Sequence, residues 1–201
     1  NSTLYKSSDN GATWTDIITT PTEFSTGNVT DISLLTANDF YATIDNGTVV
    51  YSHDGGSTWL SDNSFTGNIL NGIVANQSNE AIAYGNDGTI IKTSDNGTTW
   101  NRIGSLLSNE HLYGVTNSNN DVYAVGDAGT ILKSTNQGTN WSIQNSGTIE
   151  NLRDVIALTS TTLIAVGENG MILKTTDGGS NWNIISNAYP SSIYSITRQP
   201  N

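Results

Sequence analysis

Five tryptophans occur in this chain of 201 residues, and each of them ends the same eight-residue string. The string runs Ser or Thr, any residue, Asp or Asn, any residue, Gly, two further residues and Trp. Its copies, which we call the tryptophan turns, are Ser7–Trp14, Ser52–Trp59, Thr93–Trp100, Ser134–Trp141 and Thr175–Trp182. Successive tryptophans are separated by 45 residues and then three times by 41. A fixed period of this size indicates a repeat architecture, with one structural unit per period.

Each unit carries four short segments rich in β-branched and aromatic residues, separated by Gly, Asn and Asp. In the fourth unit they read LYGVTNS, VYAVGDAG, TILKSTNQG and TNWSIQN. This pattern predicts four strands per unit, which we call a, b, c and d. Strands b and c are apolar on both faces, as in the run from Val122 to Val125, and such strands need cover on both sides.

Neighbouring units must supply that cover, because no helical period lies between the strands. Four-stranded sheets stacked face to face around an axis form a β-propeller, with one repeat per blade. We therefore predict an all-β fold, a β-propeller of four-stranded antiparallel blades with about five blades, in a single domain over residues 1–201. The sequence does not decide whether the ring of blades closes. Residues 3–14 supply only strands c and d, and residues 193–199 match strand a, so either a strand b is missing or the chain belongs to a longer propeller or a multidomain protein.

The composition restricts the classes of partner. The net charge is −11, and the chain has only seven Lys and Arg residues, scattered along it. Nucleic acids and anionic membranes are bound by clustered Lys and Arg, so we expect neither as a partner. We also expect no membrane insertion, because no apolar run has the length of a membrane span. The chain has no cysteine, which excludes disulfides, a thiol nucleophile and a cysteine-based zinc site.

The tryptophan turns have the composition of a tight turn that satisfies its own backbone. Glycine tolerates positive φ, and the hydroxyl and carboxylate side chains can bond local backbone groups. The tryptophan is expected to begin strand d and to insert between blades with its N–H bonded. In the fourth turn Asn136 replaces the aspartate and keeps one acceptor, so a weaker bond is expected there. Fivefold repetition favours this structural role over calcium binding or catalysis. The residues given this role are Ser7, Asp9, Gly11, Trp14, Ser52, Asp54, Gly56, Trp59, Thr93, Asp95, Gly97, Trp100, Ser134, Asn136, Gly138, Trp141, Thr175, Asp177, Gly179 and Trp182.

The pattern S/T-x-D-x-G-x-x-W resembles the Asp-box, or BNR repeat, of sialidases, sortilin-type receptors and xyloglucanase propellers. The fuller unit AVGDAGTILKSTNQGTNW is most similar to the repeats of Ycf48/HCF136-like photosystem II assembly factors, a repeat that secreted bacterial proteins share. The resemblance covers essentially the whole chain. It implies the propeller fold and, through the secreted relatives, an extracellular, cell-surface or periplasmic location.

Candidate catalytic groups are sparse. His53 lies inside a tryptophan turn and His111 precedes a strand, and two isolated histidines are typical of surface turns rather than of a metal centre. Resemblance to sialidases would imply an arginine triad. The chain has three arginines, Arg102, Arg153 and Arg198, but it lacks the N-terminal arginine motif of that family.

A pair of carboxylates is the second catalytic candidate. Asp31 and Asp154 occupy the same column of strand a in different units. An inverting glycosidase uses two carboxyl groups roughly 6.5–9.5 Å apart. The alternative, which we favour, is that both aspartates cap strand ends.

The rim formed by the start of strand a and the b–c turn is the best candidate for recognition. The second residue of strand a varies within an otherwise constant repeat, and the b–c turns carry acids in four units. Such variation is expected of a binding surface, or equally of drift at an exposed position. The candidate ligand rim comprises Asn71, Tyr113, Arg153, Tyr194, Asp45, Asp87, Asp127 and Glu168.

The four acids of this rim are expected to surround one mouth of the axial channel. There they would attract a cation or a ligand amine, with Tyr113 and Tyr194 as stacking surfaces. The alternative is that the acids are solvated turn residues that serve solubility.

The sequence thus favours a non-enzymatic binding or scaffold module that recognises a protein or glycan on the top face of a propeller. We expect no catalytic residues, no metal site and no cofactor. One alternative is a glycoside hydrolase or sialidase-type propeller, or a fragment of one. Another, implied by the repeat resemblance, is a photosystem II assembly factor-like protein, which the missing basic patch disfavours.

Overall fold

The computed structural model describes residues 3–17, 27–62, 67–76, 79–103, 108–186 and 190–199. The strands of these residues are β1 (Tyr5–Lys6), β2 (Thr15–Asp16), β3 (Val29–Leu34), β4 (Phe40–Ile44), β5 (Val49–Ser52), β6 (Leu60–Asp62), β7 (Leu70–Asn76), β8 (Glu80–Gly85), β9 (Ile90–Thr93), β10 (Asn101–Arg102), β11 (Leu112–Ser118), β12 (Asp121–Gly126), β13 (Ile131–Ser134), β14 (Ser142–Gln144), β15 (Leu152–Ala157), β16 (Leu163–Gly167), β17 (Ile172–Thr175) and β18 (Asn183–Ser186). Two 3-10 turns, Asp127–Gly129 and Glu168–Gly170, join β12 to β13 and β16 to β17. Among the described residues, no helix has the length and apolar character needed to cross a membrane.

The strands form sheets that follow the repeat. β3–β6, β7–β10, β11–β14 and β15–β18 are four-stranded sheets in which each strand lies beside the next one in the chain, and β1 and β2 form a two-stranded sheet. The paired strands are antiparallel. The predicted order of strands a to d is therefore confirmed, and the predicted all-β class of four-stranded blades with it.

The chain divides into two compact units. The first comprises residues 1–83 and 93–100, and the second comprises residues 84–92 and 101–201. We describe each of them separately.

In the second unit the core lies between sheets β11–β14 and β15–β18. Side chains from strands b and c of the first sheet meet side chains from strands a, b and c of the second, and also Trp182, which directly precedes β18. The buried set is Tyr123, Val125, Ile131, Leu152, Val155, Leu163, Ala165, Met171, Leu173 and Trp182. The continuous apolar runs of strands b and c are explained by this packing, because β12 and β13 are covered on both faces.

The first unit has a core of the same kind. Ala42, Ile44 and Val50 of β4 and β5 are buried and pack against the partly buried Leu4, Val29 and Trp59. β4 is buried along its whole length.

The tryptophans correct one prediction from the sequence. Trp100 and Trp182 are 2% and 8% exposed, as expected of inserted rings, but Trp14 is 64% exposed. The indole N–H of Trp59 donates to the Gly56 carbonyl, and that of Trp141 to the Gly138 carbonyl. For Trp100 and Trp182 the expected N–H bond is absent among the described residues. In these two turns apolar burial of the ring takes precedence over the hydrogen bond.

Residues 193–199, which match strand a in sequence, do not form a strand in the described structure. The segment nevertheless lies against sheet β15–β18. The Ile193 amide donates to the Gly167 carbonyl over 2.9 Å, and the Arg198 guanidinium donates to the Leu158 carbonyl over 3.2 Å.

Candidate functional site

The hydrogen bonds of the tryptophan turns use both polar side chains of the string. In the third turn the Thr93 hydroxyl accepts a bond from the buried Gly97 amide over 2.9 Å and donates to Asp95 Oδ1 over 2.9 Å. The carboxylate of Asp95 also accepts bonds from the amide and the hydroxyl of Thr99, over 2.8 and 2.6 Å. Gly97 itself has φ +88°, a conformation that strains any residue with a Cβ.

These bonds favour the charged carboxylates. Donation by the Thr13 hydroxyl lowers the pKa of Asp9 to about 2, and donation by the Thr58 amide does the same for Asp54. Donation by the Asn181 side chain lowers the pKa of Asp177 to about 2. A carboxylate that local bonds keep ionised is an unsuitable proton donor at neutral pH, so the turns offer little acid catalysis to a substrate.

The fourth turn shows what an asparagine can replace. Asn136 Oδ1 accepts bonds from the Ser134 hydroxyl over 3.0 Å and from the Asn140 amide over 2.8 Å. The bond from Gly138 to the Ser134 hydroxyl is also kept, at 2.8 Å. The second carboxylate oxygen, which binds a further side chain in the other turns, has no counterpart in an amide group.

Asp31 and Asp154 use their carboxylates to bond backbone of the repeat that follows their own. Asp31 accepts bonds from its neighbour Ile32 over 2.8 Å and from the Ile73 amide of β7 over 3.0 Å. Asp154 likewise accepts bonds from the Val155 amide, over 2.8 Å, and from the Ser195 hydroxyl and Ile196 amide, over 3.0 and 2.9 Å. Both carboxylates therefore hold backbone in place, but they do so from within β3 and β15 rather than as caps of strand ends.

The variable rim position coincides with an irregularity of the sheet. Strand a carries one extra residue opposite strand b between Val29 and Asp31, between Leu112 and Gly114, and between Leu152 and Asp154. The extra residues are Thr30, Tyr113 and Arg153. A bulged residue lies outside the ladder and its side chain is re-aimed, so this position is free to vary.

The second unit brings rim residues of two adjacent sheets into contact. The Arg153 guanidinium lies 4.2 Å from the centre of the Tyr113 ring, and it also forms a hydrogen-bonded ion pair with Glu168. The Tyr113 hydroxyl donates to Asp127 Oδ2 over 3.0 Å. The aromatic face predicted for a ligand amine is therefore already occupied by an arginine of the same chain.

His111 and Asn151 extend this network. The His111 ring meets the edge of the Tyr113 ring at 6.5 Å, and its Nδ1 accepts a bond from the Asp87 amide over 3.1 Å. Asn151 accepts a bond from the Ala128 amide over 2.9 Å and donates to Glu168 over 3.2 Å. We call Asp87, His111, Tyr113, Asp127, Asn151, Arg153 and Glu168 the rim cluster.

Sequence reasoning placed neither of the residues that precede strand a in the rim, since it took His111 for a surface histidine and did not name Asn151. His111 and Asn151 stand at equivalent positions, one residue before Leu112 and Leu152. Each accepts a bond from a b–c turn of the preceding sheet, at Asp87 and Ala128. The signal was available in the sequence, since a polar residue with an acceptor stands at this position in both repeats.

The position of Asp87 needs a correction. Asp87 has φ +53°, as does Ala128, and Asn169 has φ +52°, so these three residues are equivalent. The counterpart of Asp127 and Glu168 in the third unit is therefore Asn86, not Asp87. The Thr89 amide bonds the Asn86 carbonyl, as the Thr130 amide bonds that of Asp127. The acids of the rim consequently do not form one regular column.

The charged and titratable side chains of the rim cluster are paired with one another, and this pairing affects their pKa values. The hydrogen bond from Arg153 lowers the pKa of Glu168, and burial raises the pKa of Tyr113. Arg153 Nε is buried without a hydrogen-bond partner in the described structure. Among the described residues, no three His, Asp or Glu side chains gather to hold a metal ion.

The remaining rim residues have surroundings of their own. Asp45, in the first unit, accepts bonds from the Asn28 amide over 2.9 Å and from its side chain over 3.0 Å. Asn71 is half-buried in β7. Tyr194 is 71% exposed and precedes Ser195, which bonds Asp154. His53 lies 2.8 Å from Asp39 in the first unit.

Comparison with known proteins gives a family and a fold. The family model of the DUF6242 beta propeller domain matches residues 1–109 and again residues 96–201. No curated protein matches the chain. Among solved structures, YCF48 from Cyanidioschyzon merolae is 13% identical, with a TM-score of 0.74 over 96% of this chain and 70% of that chain. A structure of YCF48 bound to D1 peptide is 19% identical over 97% of this chain and 80% of that chain, with a TM-score of 0.49.

Two glycoside hydrolases are also similar. An ancestral GH74 enzyme is 20% identical over 78% of this chain, with a TM-score of 0.64, and the Niastella koreensis GH74 enzyme is 23% identical over 79%, with a TM-score of 0.57. In both cases the match spans only 24% of the enzyme's chain. At these identities the likeness shows the propeller fold alone, since one fold serves many unrelated functions.

Proposed function

This chain belongs to the DUF6242 beta propeller domain family, and we propose that it is a non-enzymatic binding module that recognises a protein through the rim cluster. The observation that supports this is the contact of Tyr113 with Arg153, which are bulged residues of two adjacent sheets, and of Arg153 with Glu168. Tyr and Arg are the residue types that dominate the centres of protein interfaces. Here they are held rigid before any partner arrives, which reduces the entropy lost on binding.

The charge of the rim favours one class of partner surface. Asp87, Asp127 and Glu168 offer three carboxylates against the single guanidinium of Arg153, and the whole chain carries −11. A basic protein surface complements this potential, which also speeds encounter at low salt. A glycan ligand is the second candidate, because an exposed tyrosine such as Tyr194 is a flat apolar platform.

Four of the residues considered for the enzymatic alternatives are engaged by other groups of the chain. Asp31 and Asp154 accept backbone bonds with both oxygens, so neither is poised to protonate a glycosidic oxygen or to activate water. Arg153 is engaged by Glu168 and Tyr113, and Arg198 by a backbone carbonyl, so these two arginines are not free to grip a substrate carboxylate. These engagements support a binding role over hydrolysis.

A parallel screen tests the proposal. The chain is immobilised and probed with a peptide-display library and with a glycan array, each with the wild type and with a Tyr113→Ser/Arg153→Ser double variant. We expect basic peptides to be enriched by the wild type and lost with the double variant. Ile149→Ser is the matched control, because Ile149 is 85% exposed and lies outside the rim cluster.

The outcomes separate the alternatives. Peptides that bind the double variant as well as the wild type would place recognition elsewhere on the chain. Glycan binding without peptide binding would replace the protein partner by a sugar. Hydrolysis of any arrayed glycan by the wild type would contradict the non-enzymatic assignment.

A further inference from the structure

His111 is the histidine of the rim cluster, and histidine is the side chain that commonly changes its charge between pH 5 and pH 8. We propose that the neutral ring of His111 links two successive b–c turns, and that protonation of the ring breaks this link at Asp87. A basic partner then binds more weakly at the acidic end of this pH range. That last step rests on the function proposed above, whereas the link itself is a property of the chain alone.

The hydrogen bond at His111 Nδ1 requires a neutral ring. The backbone amide of Asp87 donates to Nδ1 over 3.1 Å. An amide N–H can only donate, so Nδ1 must offer its lone pair and the ring hydrogen must lie on Nε2. In the protonated ring both nitrogens carry hydrogens. Two N–H groups then face each other, and the bond between Asp87 and His111 is lost.

The backbone of His111 makes a second bond, to the b–c turn of its own sheet. The His111 carbonyl accepts the Asp127 amide over 3.0 Å. This turn also carries the carboxylate to which the Tyr113 hydroxyl donates. His111 therefore joins the turn of the preceding sheet, through its side chain, to the turn of its own sheet, through its backbone. Only the side-chain bond depends on protonation of the ring.

Asn151 makes the same pair of bonds one repeat further along the chain. Its Oδ1 accepts the Ala128 amide over 2.9 Å, and its carbonyl accepts the Glu168 amide over 2.9 Å. Ala128 and Asp87 are equivalent turn residues, each with φ +53°. A carboxamide does not titrate in this pH range, so the bond at Asn151 is insensitive to pH. The chain thus contains the same link in a form that protonation breaks and in a form that it does not.

The charged groups around His111 act in the same direction. The Asp87 carboxylate lies 3.8 Å from Nδ1, where it can pair with a protonated ring. The Tyr113 ring lies 6.5 Å away, between its bond to Asp127 and its contact with Arg153. The His111 side chain is 40% exposed, so solvent can protonate it. Protonation therefore releases the Asp87 turn and also neutralises one of the carboxylates that attract a basic partner.

The released turn remains attached to the chain by other bonds. The Gly88 amide donates to the carbonyl of Glu110, the acidic residue next to His111, over 2.9 Å. The Thr89 amide donates to the Asn86 carbonyl over 3.0 Å. Neither bond involves the histidine ring. Protonation therefore loosens the turn locally, and the fold of the unit is kept.

Hydrogen exchange at the Asp87 amide tests the link without any partner. Protection is compared at pH 7.5 and pH 5.0, after correction for the intrinsic exchange rate at each pH. We expect protection in the wild type to fall about fivefold at the lower pH, the effect of losing one hydrogen bond. The Ala128 amide, which bonds Asn151, is the internal control and should keep its protection.

Two substitutions exchange the acceptors of the equivalent turns. His111→Asn gives the Asp87 turn the acceptor that the Ala128 turn has, so the pH dependence at Asp87 should disappear. Asn151→His gives the Ala128 turn a titratable acceptor, so protection of the Ala128 amide should now fall at pH 5.0. Both variants keep His53, the other histidine of the chain, which controls for its titration. Circular dichroism at both pH values checks that the variants are folded.

A basic peptide without histidine, selected by the wild type at pH 7.5, tests the consequence for a partner. The readout is the ratio of the dissociation constants at pH 5.0 and pH 7.5, determined for each protein separately. We expect a ratio of about five for the wild type and of about one for His111→Asn. Ile149→Ser, which keeps His111, should give the wild-type ratio.

The outcomes separate the link from the proposed function. Equal protection of the wild-type Asp87 amide at both pH values would overturn the link, and so would an unchanged pH dependence in the His111→Asn protein. Altered protection with an unaltered binding ratio would overturn the step from the link to the partner. Failure of every basic peptide to bind, with pH-dependent protection at Asp87, would contradict the proposed function and leave the link established.

Discussion

Replacement of Thr175 by valine tests the self-bonded turn at its most buried point. Thr175 is 0% exposed, and its hydroxyl accepts the hydrogen bond of the buried Gly179 amide over 3.0 Å. Valine has nearly the same shape but no acceptor, so this amide is left unpaired in a site that water does not reach. An unpaired buried donor costs about 1–3 kcal/mol. The hydroxyl also donates to Asp177 Oδ1 over 2.8 Å, but that bond lies nearer the surface and adds less. We expect a loss of about 2 kcal/mol in the free energy of unfolding.

Urea denaturation followed by tryptophan fluorescence measures this loss, because Trp182 ends the same turn. The midpoint should fall while the slope stays that of the wild type, which separates lost stability from altered compactness. Thr161→Val is the matched control, since Thr161 is exposed. A Thr175→Val protein within about 0.5 kcal/mol of the wild type would refute the reasoning, because surface substitutions alone give changes of that size.

Three further changes have defined outcomes. The hydrogen bond from Arg153 lowers the pKa of Glu168 in the folded state, so its stabilising effect is present above the unfolded pKa of about 4.3 and is lost as pH falls through the folded value. Thermal melting at stepwise lower pH should therefore show a smaller acid-induced loss for Glu168→Gln than for the wild type, and equal losses would contradict the pairing. Asp154→Ala removes the acceptor of the Ile196 amide, so hydrogen exchange at that amide should accelerate, while an unchanged rate would show that other contacts hold the segment. Gly114→Ala would place a Cβ 2.8 Å from the Asp154 Cα, and we expect a loss of about 1–3 kcal/mol by chemical denaturation, which a wild-type stability would disprove.

The sequence predicted those features that repeat. The spacing of the tryptophans gave the number and order of the strands, because every unit places the same residue types at the same turn and strand positions. The hydrogen-bonding residues of the turns could be named for the same reason, since Thr93, Asp95 and Gly97 are four residues apart or fewer and need no distant partner. Local interactions of this kind are encoded within a few positions of the chain.

The sequence pattern did not predict the contacts between side chains of different sheets. Arg153 stacks on Tyr113 because each of two strands carries a bulge and because the two sheets pack in a particular way. No residue type in the sequence indicates either the bulges or the packing. The same holds for Asp154, whose carboxylate reaches a backbone amide 42 residues away in the sequence. The sequence pattern placed Tyr113 on the rim and Asp154 on strand a. It assigned Tyr113 to the binding of a ligand, however, and it considered Asp154 as a catalytic residue.

By itself, then, the sequence determined the repeat, the all-β class and the internal bonds of each turn, because these follow from residue types at short and constant separations. Tertiary structure alone decided which equivalent residues differ in environment. Trp14 and Trp182 end the same string, yet one ring is exposed and the other buried, because burial depends on whether another sheet packs on that face. All units of a repeat form the same local interactions. The neighbours of each unit determine which of its polar and apolar groups remain available to a partner.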